Sequence, residues 1–361
     1  MTNKVMFFCL ALSMLVTFGC KPKSEKSTKD VILSKNIEYD VTINNFKMFS
    51  QLTLEESNLI WFRENIEASS RGAFLDMLFK KALGGKLNLT DANNKTIDTN
   101  QLKEVLCVTD TVQFTRMTPP YNVYDTIIKK MISISTVTGL RFRENWSYDA
   151  KTMEITKKVI SMAPLFSKLD TDKDGNEIIG ENKVLFWIIF PEKTTPSKVL
   201  TKRIVSQVTY HNNSAFKNLN IDSVAIDTYI RKVLELAYSD TLNVYTWGDG
   251  DMADIQKSGS DLKNDICSID TISLMTPKHK HGSYDTIIKH EPSITAIRFL
   301  EEWTFDPATM AIAKKVVGVC PVEMCYDQYG DLKGYRPLFW VYFSDVWTPF
   351  GGKLELKKTK K

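Results

Sequence analysis

The chain has 361 residues, a formal net charge of +4, and hydrophobic residues at 43% of its positions. The positive and negative charges are scattered along the chain without a basic stripe, which argues against a nucleic-acid-binding surface. The length suffices for two domains of ordinary size, so we expect two folded units, each with a core of its own.

The first twenty residues have the features of a secretory signal. Lys4 supplies a short basic region, and residues 5–18 form an almost unbroken apolar run that is too short to span a bilayer. Gly19 then precedes Cys20, the arrangement that a lipoprotein signal peptidase requires. We therefore expect a signal peptide over 1–19 and a membrane anchor of diacylglycerol and acyl chain on Cys20. A cleaved soluble periplasmic protein and a transmembrane anchor are the alternatives.

Residues 20–35 are expected to form a tether. The stretch KPKSEKSTKD from Lys21 lacks large apolar side chains, so it cannot bury enough surface to order itself. Its basic charge suits contact with anionic head groups, and a solvated spacer is the simpler alternative. The remaining chain divides into a first repeat over 36–196, a second over 197–349 and a basic tail over 350–361.

An internal repeat determines this division. The segment LRFRENWSYDAKTMEITKKVISMAP from Leu140 aligns without a gap to IRFLEEWTFDPATMAIAKKVVGVCP from Ile297. Two shorter matches flank it: YDTIIK from Tyr124 and from Tyr284, and LFWIIF from Leu185 against LFWVYF from Leu338. The repeating unit is roughly 150 residues long and occurs twice.

Hydrophobic periodicity gives the fold class. Apolar residues three and four apart over 54–83 and 221–238 predict that each copy opens with one or two helices, the first of which ends at Gly84-Gly85. Residues 297–305 alternate with period two, as in a half-buried strand. We expect an α+β fold of two tandem repeats, each with N-terminal helices followed by an antiparallel sheet of hairpins.

The stretch Asp306-Pro-Ala-Thr309 is typical of a type I turn, which would fix the register of a hairpin in each copy. In that register Glu301 lies opposite Lys314, and Glu144 lies opposite Lys157. We interpret both as cross-strand ion pairs on the apolar face, not as catalytic groups, because neither copy offers a second polar partner.

One acidic segment matches a calcium-binding loop. Asp170, Asp172 and Asp174, followed by Glu181, have the spacing of that motif. The segment lies between two predicted strands instead of two helices, and the second copy lacks the acidic residues. It is therefore only a weak candidate for calcium, and we predict no other cofactor.

The remaining chemistry-bearing residues predict no catalytic centre. Four cysteines follow the expected anchor: Cys107, Cys267, Cys320 and Cys325. In an exported protein they can pair in three ways that sequence does not distinguish. Three histidines fall in one stretch of the second copy, and we expect them to be exposed and not to bind metal: His279, His281 and His290. Four tryptophans recur at equivalent positions and are expected in the core or at interfaces: Trp146, Trp187, Trp303 and Trp340.

The W-[ST]-[FY]-D hairpin, the lysine-rich strand that ends in a proline, and the stretch GYRPLFWVYF from Gly334 resemble the GldN/PorN family. These are periplasmic ring proteins of the type IX secretion and gliding-motility machinery. The resemblance is best over 265–343 and extends over 106–190. It implies a non-enzymatic scaffold that assembles with a GldK/PorK-type lipoprotein into a ring under the outer membrane. This chain departs from the family in carrying two units and its own lipobox.

We therefore expect a structural, protein-binding lipoprotein of the cell envelope, attached to the outer membrane and facing the periplasm, where it binds other envelope proteins. The alternative is a lipid-anchored periplasmic module that binds calcium or a glycan. An enzyme without a recognisable motif is the third hypothesis.

Overall fold

The computed structural model describes residues 30–43, 66–171, 177–210, 222–247, 253–275, 283–326, 329, 332–347 and 353–354. Antiparallel strands dominate these ranges, accompanied by four α-helices. The prediction of an α+β protein is confirmed at this level. No helix in the described ranges combines the length and the apolar character needed to cross a bilayer.

The two halves of the chain present their elements in a similar order, with one additional strand between the two helices of the second half. The first half contains β1 (Val31–Thr42), α1 (Ala68–Leu83), β2 (Leu89–Thr90), α2 (Thr99–Val105), β3 (Cys107–Thr115), β4 (Val123–Met131), β5 (Val137–Tyr148), β6 (Ile155–Thr171), β7 (Glu177–Val184) and β8 (Trp187–Ile189). The second half contains β9 (Lys198–Thr209), α3 (Ser223–Tyr238), β10 (Val244–Trp247), β11 (Ala253–Lys257), α4 (Gly259–Ile266), β12 (Ser268–Met275), β13 (Ser283–His290), β14 (Ile294–Phe305), β15 (Ile312–Tyr326), β16 (Leu332–Pro337) and β17 (Trp340–Tyr342). Two short strands follow, β18 (Val346–Trp347) and β19 (Lys353–Leu354).

One large sheet joins the halves. Strands β1, β5 and β6 lie side by side in the first half, as β9, β14 and β15 do in the second. The two sets meet where β6 pairs antiparallel with β15, which places Lys157 opposite Lys314 and Thr156 opposite Lys315. We call this contact the seam.

Each half begins with a strand, so the expectation that each opens with helices was wrong. Strand β1 starts at Val31, inside the stretch expected to be a tether, because Ile37, Tyr39 and Val41 alternate inward and are buried. Helix α1 starts only at Ala68 and ends at the predicted Gly84, which is followed by Gly85 at φ 66°. Residues 44–65, which include positions 54–65 of the predicted helical stretch, lie outside the described residues.

The predicted turn register was wrong by two residues. Asp306 N–H donates to the carbonyl of Ala311 at 2.9 Å, so the closing pair lies beyond Thr309. The Asp306 carboxylate accepts from Ala308 N–H at 2.8 Å, and Met310 takes a left-handed φ of 59°. Together these contacts extend the loop to four residues where a tight two-residue turn was expected.

The observed register pairs different residues from the predicted one. Trp303 lies opposite Lys314, and Glu301 lies opposite Val316. The first half has the same offset, with Trp146 opposite Lys157. Because side chains alternate with period two, a slip of two residues keeps the side chains between the turn and the β-bulge next to Glu301 on their predicted faces, while it separates the expected ion pairs.

The two halves share one core, whereas the sequence suggested a core in each. A single apolar cluster spans both copies, and each long helix packs on the other half: α1 on β9 and α3 on β1. Phe74 of α1 meets Phe305 edge-on, with the ring centroids 5.2 Å apart. Tyr229 of α3 donates its hydroxyl to the Met153 carbonyl at 2.9 Å, in the loop of the first hairpin. Neither half therefore buries its apolar face alone.

The opposite face of the sheet differs between the halves. In the first half it carries ion pairs, such as Arg141 with Asp40 at 2.6 Å. In the second half a smaller apolar cluster that includes Leu300 and Tyr342 covers it. Arg298, equivalent to Arg141, is buried there, and burial lowers the pKa of its guanidinium.

Candidate protein-interaction surface

The four charged residues singled out from the sequence meet at the seam. Lys157 Nζ lies 2.5 Å from Glu301 Oε1, and Lys314 Nζ lies 2.6 Å from Glu144 Oε1, with all four side chains closed to solvent. The predicted pairs within each hairpin were therefore wrong, because each lysine binds the glutamate of the other copy. These crossed ion pairs connect the two halves through the core.

Aromatic groups complete the coordination of these charges. Each carboxylate also accepts from the tryptophan two residues along its own strand, Trp146 to Glu144 and Trp303 to Glu301, both at 2.7 Å. The lysine ammonium groups lie over phenyl rings: Lys157 is 3.3 Å from the Phe299 centroid and Lys314 is 3.2 Å from that of Phe142. Such contacts offset part of the cost of removing the charges from water.

Tyr39 of β1 connects the two ion pairs. Its hydroxyl donates to Glu144 Oε2 at 2.9 Å, and it accepts from Lys314 Nζ at 3.0 Å and from Lys157 Nζ at 3.4 Å. Tyr39 was not predicted from the sequence, although the alternation of Ile37, Tyr39 and Val41 was the available signal. Burial, together with the nearby glutamates, raises the pKa of Tyr39 well above its usual value, so the phenol stays protonated.

The cluster is closed to solvent, and its charges shift the pKa values of Glu301 and Lys314. Burial alone would raise the pKa of Glu301, but Lys157 and Lys314 outweigh that effect and lower it. Burial lowers the pKa of Lys314, and the two glutamates oppose that shift. Two carboxylates and two ammonium groups balance in charge, and none of them is in contact with solvent. This arrangement can hold the two copies together, and no substrate can reach it without opening the core.

The calcium candidate is only partly within the described residues. Asp170 lies on β6 and Glu181 on β7, on either side of a strand-to-strand connection, while Asp172 and Asp174 lie outside the described residues. Across the described ranges no group of three or more His, Cys, Asp or Glu side chains is placed to hold a metal ion. Calcium binding stays a prediction.

Some of the other residues singled out from the sequence also lie outside the described part of the chain. Cys20, His279 and His281 lie outside the described residues, and His290 ends β13. The four cysteines that we considered for pairing are free thiols: Cys107, Cys267, Cys320 and Cys325. The four repeated tryptophans are buried in the sheet: Trp146, Trp187, Trp303 and Trp340.

A hairpin outside the main sheet has the exposed apolar surface that the seam lacks. Strands β3 and β4 form a two-stranded sheet of their own, separate from the main sheet, and we call this hairpin the first arm. Its exposed large side chains, with their exposed fractions, are Phe114 (42%), Met117 (95%), Tyr121 (61%), Val123 (58%), Tyr124 (47%), Ile127 (67%), Ile128 (39%) and Met131 (51%). Soluble monomers rarely expose so many apolar side chains together, so this patch is a candidate interaction surface.

The second half has an equivalent hairpin. Strands β12 and β13 also form a separate two-stranded sheet, in which Thr271 lies opposite Ile287 just as Thr111 lies opposite Ile127 in the first arm. We call it the second arm. The shared YDTIIK stretch indicated duplication, but it did not predict that the two hairpins form sheets separate from the main sheet. Apolar residues occur on both faces of β4, so hydrophobic alternation gives no sign of which face is exposed.

Comparison with known families fits this arrangement. The family model described as gliding motility associated protein GldN matches residues 47–229 and again 226–350. The chain belongs to the GldN family. The two matches include both arms and the seam residues of both copies, and the resemblance drawn from the hairpin motifs is confirmed. A search of curated proteins found no match to this chain. Membership of the GldN family associates the chain with gliding motility.

Proposed function

We propose that this chain is a non-enzymatic structural lipoprotein of the cell envelope, composed of two GldN-like units, which serves the type IX secretion or gliding-motility machinery by binding other envelope proteins. Membership of the GldN family supports the association with motility. The exposed apolar surface of the first arm carries the protein-binding role. A partner lipoprotein of the GldK/PorK type is the expected neighbour.

The architecture of the arm supports binding over a purely structural role in this fold. A two-stranded hairpin is marginally stable by itself in water, and it gains stability by packing against something. The first arm lies outside the main sheet, and the Phe114 and Tyr124 rings stack on each other at 6.2 Å instead of entering the core. Contact with another protein would bury this surface and stabilise the arm.

The seam supports a scaffold that resists deformation. The crossed ion pairs, and the packing of each long helix on the other half, join the two copies through one core. A binding module for a small ligand would need a cavity with converging polar groups, and the polar groups that converge here are occupied by each other.

Anchoring is the second part of the proposal. Lipid on Cys20 would leave about ten residues before β1 begins at Val31, a short tether that holds the sheet close to the periplasmic face of the outer membrane. Cys20→Ala should abolish labelling with a palmitate analogue and release the protein into the soluble periplasmic fraction. Retention of the unlabelled variant on the membrane would show that protein contacts provide the attachment.

The decisive test compares strains that differ only in this gene. Deletion should impair gliding or type IX secretion, and complementation with Tyr124→Ser/Ile128→Ser, which alters the face of β4 opposite to that of Ile127, should fail to restore it while the protein accumulates normally. The matched control is Val224→Ser, which alters an apolar side chain that is 73% exposed on α3, away from the arm. Normal motility and secretion after clean deletion, together with measurable turnover of a small substrate, would overturn the proposal.

A further inference from the structure

One face of strand β4 in the first arm carries side chains in a regular order. Along β4 this face reads Val123, Asp125, Ile127, Lys129 and Met131, since alternate residues of a strand share a face. All five are exposed. The order is apolar, acidic, apolar, basic, apolar. The apolar positions are therefore symmetric about Ile127, and the two charged positions on either side of it have opposite signs.

This order makes the strand complementary to itself. When two copies of β4 run antiparallel and are centred on Ile127, each Asp125 lies opposite a Lys129. Val123 then lies opposite Met131, and the two Ile127 side chains meet on the axis. Opposite charges and apolar pairs directly across a ladder stabilise it, so every cross-strand pair on this face is favourable in that register.

The edge is available for such pairing. Within the described part of the chain, β4 pairs with β3 alone, so its other edge has no strand partner. Across the hairpin Asp125 faces Gln113, and Lys129 faces Thr109, so neither charge has an oppositely charged residue directly opposite. Charged residues on an edge discourage indiscriminate pairing, and here their order would admit one specific partner.

The duplication gives independent support. The letters YDTIIK recur unchanged in β13, yet in β4 five of these six residues are exposed. Packing explains why buried tryptophans recur between the copies, but it does not explain why exposed positions keep both their charges and their apolar residues. A recognition role for the edge accounts for the repeated stretch.

We propose that β4 of one chain pairs antiparallel with β4 of a second copy of this chain, on a two-fold axis through Ile127, to form a four-stranded sheet from two first arms. Main-chain hydrogen bonds between the two edge strands hold the chains together, and the Asp125–Lys129 pairs set the register. The inference does not depend on which envelope machinery the protein serves.

The test measures self-association of the full chain, purified in detergent, by sedimentation over a range of protein concentration. Asp125→Lys alone and Lys129→Asp alone each replace both opposite-charge pairs with like-charge pairs, and each should raise the dimer Kd by about tenfold or more. The double variant Asp125→Lys/Lys129→Asp restores complementarity and should dimerise like the wild type.

Mixing the two single variants gives the sharpest result. One chain then carries two lysines on the face and the other carries two aspartates, so the mixture should form heterodimers although neither variant dimerises alone. Lys130→Asp is the matched control: it makes the same change of charge as Lys129→Asp on the opposite face of β4, and it should leave Kd within about twofold.

Three results would overturn the inference. One is a wild-type chain that stays monomeric at every concentration tested, and another is a pair of single variants that dimerise as well as the wild type. The third is a dimer that Asp285→Lys in the second arm disrupts while Asp125→Lys does not. None of these results bears on the proposed function, because motility and secretion are measured separately in cells.

Discussion

Lys314 forms its ion pair with Glu144 of the other copy, 2.6 Å away, and not with Glu301 of its own hairpin. The reciprocal contact joins Lys157 to Glu301. Each hairpin therefore carries one glutamate and one lysine that are satisfied only when both copies are in place. The ion pairs therefore stabilise the association of the two halves more than they stabilise either hairpin by itself.

Removing one member of this cluster should be costly. Lys314→Met leaves Glu144 buried without its cation, and we expect the free energy of unfolding to fall by about 3–5 kcal/mol. Lys315→Met is the control, since Lys315 is 56% exposed and lies 3.5 Å from Glu302 on the other face, and it should change stability by less than about 0.5 kcal/mol. Denaturant unfolding monitored by tryptophan fluorescence measures both, and equal losses would contradict the structure.

The hydroxyl of Tyr39 should have a measurable role of its own. Tyr39→Phe keeps the ring and removes the group that donates to Glu144 and accepts from Lys314, so we expect a loss of about 1–3 kcal/mol. Tyr124→Phe removes a hydroxyl from the exposed first arm and should be neutral in the same unfolding assay. A neutral Tyr39→Phe would mean that the two lysines do not need the phenol.

The lowered pKa of Glu301 predicts a specific acid sensitivity. Its folded-state pKa lies below the unfolded value of about 4.3, so its contribution is complete above that pH and is lost as the pH falls toward the folded-state pKa. Glu301→Gln cannot titrate. The stability difference between wild type and Glu301→Gln should therefore shrink as the pH falls below about 5. Parallel stability profiles for the two proteins over this range would contradict the assignment.

Two glycines should respond in opposite directions to alanine. A Cβ on Gly72 in α1 meets no atom within 4 Å, so Gly72→Ala should stabilise the protein by about 0.5–1 kcal/mol through helix propensity. A Cβ on Gly259 would overlap the carbonyl oxygen of Tyr238, where α4 approaches the end of α3. Gly259→Ala should cost about 1–3 kcal/mol, and thermal unfolding of the two variants separates the cases.

The shared core predicts that neither half folds alone. An isolated fragment of residues 30–196 would expose Phe142 and the buried face of α1. An isolated fragment of residues 197–347 would expose Phe299 and the buried face of α3. Expressed separately, each fragment should aggregate or remain unfolded, whereas co-expression should yield a soluble one-to-one complex. Cooperative unfolding of an isolated half, followed by circular dichroism, would contradict the shared core.

Much of the secondary structure could be predicted because its signals are local. The spacing of apolar residues located helix α3, and period-two alternation located strand β14 on its correct face. The register was missed because the Asp306 side chain binds the Ala308 amide and lengthens the loop, which residue preferences at a turn do not specify.

The crossed pairing could not be predicted for a different reason. Both copies carry a glutamate and a lysine at equivalent positions, so pairs within a copy and pairs between copies are indistinguishable in the sequence. Only the contact between β6 and β15, set by packing of the whole core, decides between them. The separation of the arms from the main sheet was missed because it depends on which strands join that sheet, and no local sequence pattern indicates this.

Tyr39 and Ser206 occupy equivalent places in the two copies, opposite Phe142 and Phe299 respectively. Two identical subunits related by a two-fold axis would have to carry the same residue at both places. Two tyrosines would crowd their phenols around the axis, and two serines would place only short hydroxyls there. A duplicated gene is free of this symmetry, because each copy mutates independently. One phenol can then serve both ammonium groups, at 3.0 Å from Lys314 and 3.4 Å from Lys157, while serine takes the smaller volume on the other side.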